Sequence, residues 1–191
     1  KLLDLICEIA YREGDFVLTS GQRSSYYING KQITLHPQGM VMVGRLLFDQ
    51  LPAETRAVAG LTLGADPIVT AVSMAAAYAN QQNSYGDFSQ HGIAALIIRK
   101  EAKGHGTQAQ IEGPTLPPAS SVVVLEDVVT TGQSAMKAVH CLRNAGYVVN
   151  HVMALVDRLQ GGAELYRSQG LNFQALFPIT AIQTRWAERR R

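Results

Sequence analysis

Apolar residues follow two alternating rhythms along this chain. Continuous runs such as Ile93-Ala-Ala-Leu-Ile-Ile98 and Ser121-Val-Val-Val-Leu125 suit strands buried on both faces of a sheet. Ala57 to Gly60, Val152 to Val156 and Phe173 to Phe177 read the same way. Between them lie stretches with helical spacing. Asp66 to Ala79 is one. Gly132 to Ala145 is another, with Ala135, Met136, Val139, Leu142 and Ala145 on one face and a stop at Gly146. Ala163 to Ser168 predicts a short helix. Strands separated by helices predict an α/β fold with a parallel sheet, whose ligands sit at the carboxyl ends of the strands. The first fifty-odd residues differ. Leu2 to Tyr11 predicts an amphipathic helix, Phe16 to Gly30 is short and turn-rich with two Tyr, and Gln38 to Leu51 predicts a second helix. Residues 1–52 are expected to form a small appendage, or hood, on one side of a single domain spanning 1–191. Gly113 to Pro118 is a Pro-rich loop exit, and no internal repeat is evident.

Composition narrows the class. Of 191 residues, 47% are hydrophobic and 17% charged, which excludes a disordered or fibrous chain. The net charge of +2 selects neither nucleic acid nor a membrane surface as partner. Cys7 and Cys141 lie far apart in apolar helical patterns and read as unpaired core thiols, and no Cys/His spacing suits zinc. Leu2 to Ala10 is broken by Asp4 and Glu8, unlike a signal peptide. The apolar stretch from Ile68 to Ala79 contains Thr70 and Ser73 and falls short of the roughly 20 residues that span a bilayer. A soluble, cytoplasmic protein is expected.

The densest chemistry lies at residues 121–134. An apolar strand ends in two adjacent carboxylates, Glu126 and Asp127. Val128 and Val129 follow, then the turn Thr130-Thr131-Gly132-Gln133-Ser134, which opens a helix. Hydroxyls, free backbone N–H groups and the helix dipole all favour an anion there. Gly132 lets a ligand approach the backbone closely. The Gly-Lys-Ser/Thr ending of a Walker loop is absent. Two acids beside an anion site make sense if the ligand also carries hydroxyls or a divalent cation, as a ribose phosphate does. A mere helix cap would account for one residue of this ensemble. The segment resembles the phosphoribosyl pyrophosphate (PRPP) signature of the type I phosphoribosyltransferases. That resemblance implies their parallel-sheet fold, with Glu126 and Asp127 on the ribose hydroxyls and Thr130 to Ser134 on the 5′-phosphate.

A second cluster follows a buried strand directly. Arg99-Lys-Glu-Ala-Lys103-Gly-His105-Gly-Thr-Gln108 crowds cations, a His and two Gly into one loop. Most charge runs are solvated faces, but this one sits where a lid over a reacting centre would begin. It is similar to the mobile catalytic loop of the orotate phosphoribosyltransferases. Phe16 to Tyr27, Gly60-Leu-Thr-Leu-Gly-Ala-Asp-Pro67 and Val156-Asp-Arg158 resemble that family's N-terminal substrate segment, pyrophosphate-side loop and orotate-binding strand end. The resemblance implies that orotate and PRPP yield orotidine 5′-monophosphate and pyrophosphate, with Mg²⁺ bound mainly through PRPP and no direct protein ligand. It implies catalytic roles for Lys103, His105 and Lys100. PRPP would be bound by Arg99, Lys100, Lys103, His105 and the whole run from Glu126 to Ser134. Orotate would be bound by Thr130, Arg158, Tyr26 and Tyr27. It also implies a homodimer in which the lid serves the neighbouring subunit's site. Thr19 and Gly64 stand where some members have Lys.

On physical grounds, breaking the C1′–O bond of PRPP leaves positive charge on ribose and negative charge on pyrophosphate. Cations that arrive with a lid favour that separation and exclude water. His36, His91, His140 and His151 have no ligand partners in pattern, and Arg189 to Arg191 read as a solvated tail. Alternative functions are a related transferase acting on uracil or a purine, and a PRPP-sensing regulator. Arg158 and the cationic lid favour orotate.

Overall fold

The computed structural model describes residues 1–17, 21, 23–81, 92–101 and 110–190. At the N-terminus helix α1 (Leu2–Leu5) runs on into a π-helical turn, Ile6–Ala10, which ends where Tyr11 turns extended. The helix expected from Leu2 therefore stops one residue early. Tyr11 instead opens β1 (Tyr11–Val17), which pairs antiparallel with β2 (Arg23–Ile28). The stretch expected to be turn-rich is thus a two-stranded hairpin. Its register slips between Glu13 and Phe16, and that irregularity breaks the strict alternation by which a strand is recognised. Helices α2 (Lys31–Thr34) and α3 (Pro37–Phe48) follow. Pro37 sits in the first turn of α3, where its missing N–H costs nothing, and His36 Nδ1 accepts from Gly39 N at 3.4 Å.

The remaining elements are β3 (Ala57–Leu61), α4 (Asp66–Gln81), β4 (Ala94–Ile98), β5 (Ile111–Glu112), β6 (Ser121–Val129) and α5 (Gln133–Asn144), then β7 (Val148–Asp157), α6 (Gly162–Ser168), β8 (Asn172–Pro178) and α7 (Ile179–Glu188). The six strands form one sheet in the order β5-β4-β3-β6-β7-β8. Every pairing is parallel except that of β5, a two-residue strand running antiparallel to Ile97 and Ile98. The α/β reading with a parallel sheet holds.

Alternation along the strands builds two cores. On one face Val58, Val123, Leu125, Met153 and Leu155 pack with Ile68 and Val72 of α4, with Ile6, and with Ile182 of α7. On the other, Ala59, Val122, Val124, Val152 and Ala154 pack with Met136, Val139 and Leu142 of α5 and with Tyr166 of α6. Both strand faces are covered, which is why these strands read as unbroken apolar runs. Helix α7 was not expected. Its Ile179 and Ile182 are buried against the N-terminal segment, and only two inward residues in ten leave a weak period.

The chain leaves β3 for β4 on one side and returns to β6 on the other side of β3. Such a switch in direction opens a crevice at the carboxyl ends of β3 and β6. Leu125 is fully buried in the strand that borders it. Leu125→Ala is expected to destabilise the fold by about 2–5 kcal/mol, read as a lower urea midpoint with an unchanged slope.

Candidate active site

Strand β6 does not end at Leu125 but continues to Val129, paired with β7 as far as Val129 opposite Asp157. The two acids therefore sit at successive positions inside the strand, with their carboxyls close enough to interact. Glu126 is buried on the face of α5 and α6, and burial, with the charge of Asp127 beside it, pushes its carboxyl up to about 8. The positive charge of Lys31 works in the other direction. Asp127 faces the N-terminal segment. Its Oδ1 accepts from Val128 N at 2.9 Å, and Glu126 Oε1 accepts from Asp127 N at 3.2 Å.

Two glycines shape the space around Asp127. A Cβ on Gly64 would lie 2.7 Å from Asp127 Oδ1, and one on Gly30 would lie 3.0 Å from Asp127 Oδ2. At Gly64 the carboxylate of Asp127 occupies the room a side chain would need. Thr19 lies outside the described residues.

Beyond β6 the chain turns through Thr130 and the exposed Thr131 to Gly132, whose φ of 82° is left-handed and favours glycine. Gly132 opens α5, and no side chain caps that end. The exposed residues Gln133 and Ser134 lie in its first turn, so backbone N–H groups, hydroxyls and the dipole face one spot. The N-terminus of α6 packs beneath: a Cβ on Gly162 would meet the Val129 side chain and lie 3.1 Å from the Thr130 carbonyl oxygen.

The end of β7 borders the same loop. Arg158 N donates to the Val129 carbonyl at 2.9 Å, and Leu159 N donates to Asp157 Oδ1 at 2.8 Å. Arg158 Nε donates to the Tyr26 hydroxyl at 3.0 Å, and its guanidinium carbon lies 4.9 Å from the Tyr26 ring centroid. Its Nη2 is buried and has no hydrogen-bond partner among the described residues. Tyr26 is buried and stacks on Tyr11 at 5.9 Å, so the hairpin fixes the arginine's direction. Tyr27, the next residue on the strand, points the other way, pairs with Phe16 at 5.7 Å and is 44% exposed. The structure thus brings Tyr26, but not Tyr27, to Arg158.

The cationic loop begins at the end of β4, two strands from β6 and at the same end of the sheet. Arg99 N donates to the Gln110 carbonyl at 2.8 Å, which closes the stem, and Arg99 Nη1 pairs with Glu112 at 3.3 Å. Lys100 is exposed. Thr62 N donates to the Ile98 carbonyl, tying the loop after β3 to this stem. Lys103 and His105 lie outside the described residues. Among the described residues no cluster of three or more His, Cys, Asp or Glu could hold a metal ion, and no helix is long and apolar enough to cross a membrane. Cys7 and Cys141 are both free.

Sequence reasoning missed Tyr166, fully buried beneath Gly132, and the paired glycines around Asp127. A tyrosine at an inward position of a short helix looks like ordinary core, and a glycine opposite a carboxylate is visible only in three dimensions.

The titration of Glu126 sets a pH dependence. Its folded value of about 8 lies above the ordinary 4.5, so the folded chain binds more protons than the unfolded chain between those values. Stability is therefore expected to fall as pH rises from about 4.5 to 8 and to level off above. Glu126→Gln should remove that slope, measured as urea midpoints across the range.

No family model matches the chain. An orotate phosphoribosyltransferase of Nostoc sp. is 66% identical over 188 residues, covering 98% of this chain and 86% of that protein. One from Synechocystis sp. is 62% identical over 182 residues, covering 95% and 87%. Among solved structures, Mycobacterium tuberculosis H37Rv orotate phosphoribosyltransferase in complex with Fe(III) dicitrate superposes with a TM-score of 0.76 at 34% identity. The same enzyme in complex with PRPP gives 0.71 at 29% identity, and each comparison covers 95% of this chain and 96% of that one.

Proposed function

The chain belongs to the orotate phosphoribosyltransferase family, and from that premise we propose that it joins orotate to PRPP, yielding orotidine 5′-monophosphate and pyrophosphate in pyrimidine (UMP) biosynthesis. It is a pentosyltransferase with the type I phosphoribosyltransferase fold. The observation that carries the substrate reading is Arg158. Tyr26 holds its Nε, while Nη2 is buried without a hydrogen-bond partner among the described residues. A planar carboxylate such as that of orotate would answer the unpaired guanidinium edge, and an uncharged base would leave it unpaired. Uracil and purine bases, or a sensing role without chemistry, are not favoured.

Each group then has a task. The N-terminal end of α5 and Thr130 to Ser134 take the 5′-phosphate, with Val128 and Val129 lending backbone groups. Asp127 and Glu126 accept from the ribose 2′- and 3′-hydroxyls, and the glycines at 30 and 64 keep the approach to Asp127 clear. Thr130, Arg158, Tyr26 and Tyr27 form the base site. The fit of Tyr27 requires the hairpin to bring its outward face round, since Tyr26 alone meets Arg158 in this structure. Arg99, Lys100, Lys103 and His105 bind pyrophosphate oxygens as the loop closes, and Lys100, Lys103 and His105 carry the catalysis.

The orotate ring nitrogen displaces the pyrophosphate oxygen at C1′, so no protein nucleophile is needed. Charge separates as the bond breaks, and cations preorganised on the leaving group stabilise that separation more than the ground state. Mg²⁺ suits the dense oxygens of PRPP, and when bound it neutralises part of the pyrophosphate charge. Asp127, open in its glycine-flanked cradle, fits a ligand that brings hydroxyls and a cation together.

We place the protein in the cytoplasm as a single domain, residues 1–52 forming its substrate-side hood. We also assign a homodimer in which each lid serves the partner's site. Val41 on α3 and Met74 and Tyr78 on α4 are half or more exposed, an apolar face consistent with a second copy.

Loss of orotate absorbance on incubation with PRPP and Mg²⁺ tests the activity directly; no loss would defeat it. Lys103→Ala is expected to lower turnover by about 10²–10³, as loss of one preorganised charge partner does. Arg158→Lys is expected to raise the orotate KM far more than the PRPP KM; an unchanged orotate KM would remove Arg158 from the base site. Mixing Lys103→Ala with Asp127→Asn chains is expected to recover activity after subunit exchange. No recovery, with exchange verified by mass, means each lid serves its own subunit.

A further inference from the structure

Helix α6 carries a tyrosine that the catalytic scheme leaves unused. Tyr166 is fully buried, and its hydroxyl has no hydrogen-bond partner among the described residues. Its ring packs on Phe173, with centroids 5.0 Å apart. The hydroxyl end lies directly under the loop: a Cβ on Gly132 would come 2.9 Å from Tyr166 Cζ and 3.0 Å from Oη. One turn earlier, Gly162 of the same helix packs on Val129 and lies close to the Thr130 carbonyl. Helix α6 is therefore a strut beneath the whole bend from Val129 to Gly132, and Tyr166 is its tip.

A phenylalanine would fill the same space without desolvating a hydroxyl. An unpaired buried hydroxyl weakens the free fold, so a second state in which it is paired accounts for its presence better than packing does. The group sits among acids, because the charges of Glu126 and Asp157 both bear on it. The backbone at Gly132 lies directly above it. A phosphate on the outer side draws the loop's N–H groups outward, and the peptide carbonyls between them then turn toward the strut.

We propose that Tyr166 is a positioning residue for the 5′-phosphate loop, its buried hydroxyl gaining an acceptor from the loop backbone when phosphate is bound. This rests on reading Thr130 to Ser134 as the phosphate site. The hydroxyl contributes to PRPP affinity through the loop and touches no reacting atom.

Tyr166→Phe separates this from packing. The thermal midpoint of the free protein is expected to stay the same or rise. The PRPP Kd by calorimetry, without orotate, is expected to rise about tenfold, the worth of one hydrogen bond. The PRPP KM should follow it, while kcat and the orotate KM stay within about twofold of the parent. Inorganic phosphate, used as a second probe, should raise the midpoint of the variant less than that of the parent. An unchanged PRPP Kd overturns the proposal, whether or not the midpoint moves. If the parent binds neither PRPP nor phosphate, the phosphate-site reading fails as well, which distinguishes the two failures.

Discussion

The site depends on the ladder between β6 and β7 remaining regular past the last apolar residue. Pairing continues from Leu125 opposite Met153 to Val129 opposite Asp157. The extended backbone places the acids at successive strand positions, yet their carboxyls stay close enough that the charge of Asp127 helps to raise Glu126. The same ladder brings Arg158 to the phosphate-type loop, since its N–H caps the Val129 carbonyl just beyond the last pair. The groups proposed to meet ribose, phosphate and base are thereby set by one hydrogen-bonded edge rather than by three independent loops.

Much of this was legible in the residues. The apolar runs gave the strands flanking the crevice, because strands covered on both faces show no polar gaps. The turn from Thr130 to Ser134 into α5 was legible from its glycine and hydroxyl residues at a helix start. The strand's extension to Val129 was not legible: two charged residues look like the end of a buried strand, and only pairing with β7 keeps them in it. The hairpin from Tyr11 to Ile28 was hidden by its irregular register, and α7 by the few residues it turns inward. Whether Tyr26 and Tyr27 act together could not be read from adjacency, because neighbours on a strand face apart. The burial of Glu126 belongs to the third dimension.

The glycines at 30 and 64 show how absence of a side chain can be a design element. Here Asp127 lies within van der Waals reach of both backbones. The acid thus takes up the space that a side chain at Gly64 would need. The electrostatic balance of the pocket is set jointly by the N-terminal segment and the sheet.

Strand order also bears on how the polypeptide matures during synthesis. Ala57 of β3 meets Val122 of β6, and β7 can only then dock on β6. The central strand therefore emerges from the ribosome after both β3 and β4. Until it arrives, the inner edge of β3 has no partner. Closing so long a loop is slow, and it leaves an apolar edge exposed in the meantime. A nascent chain that stops before Val148 holds the N-terminal hairpin and helices and strands β3 to β6, but β7 is not yet there to pair with the strand that carries the two acids. The ladder that holds Glu126 and Asp127 thus closes only once β7 has been made, and the vulnerable interval for aggregation falls before it.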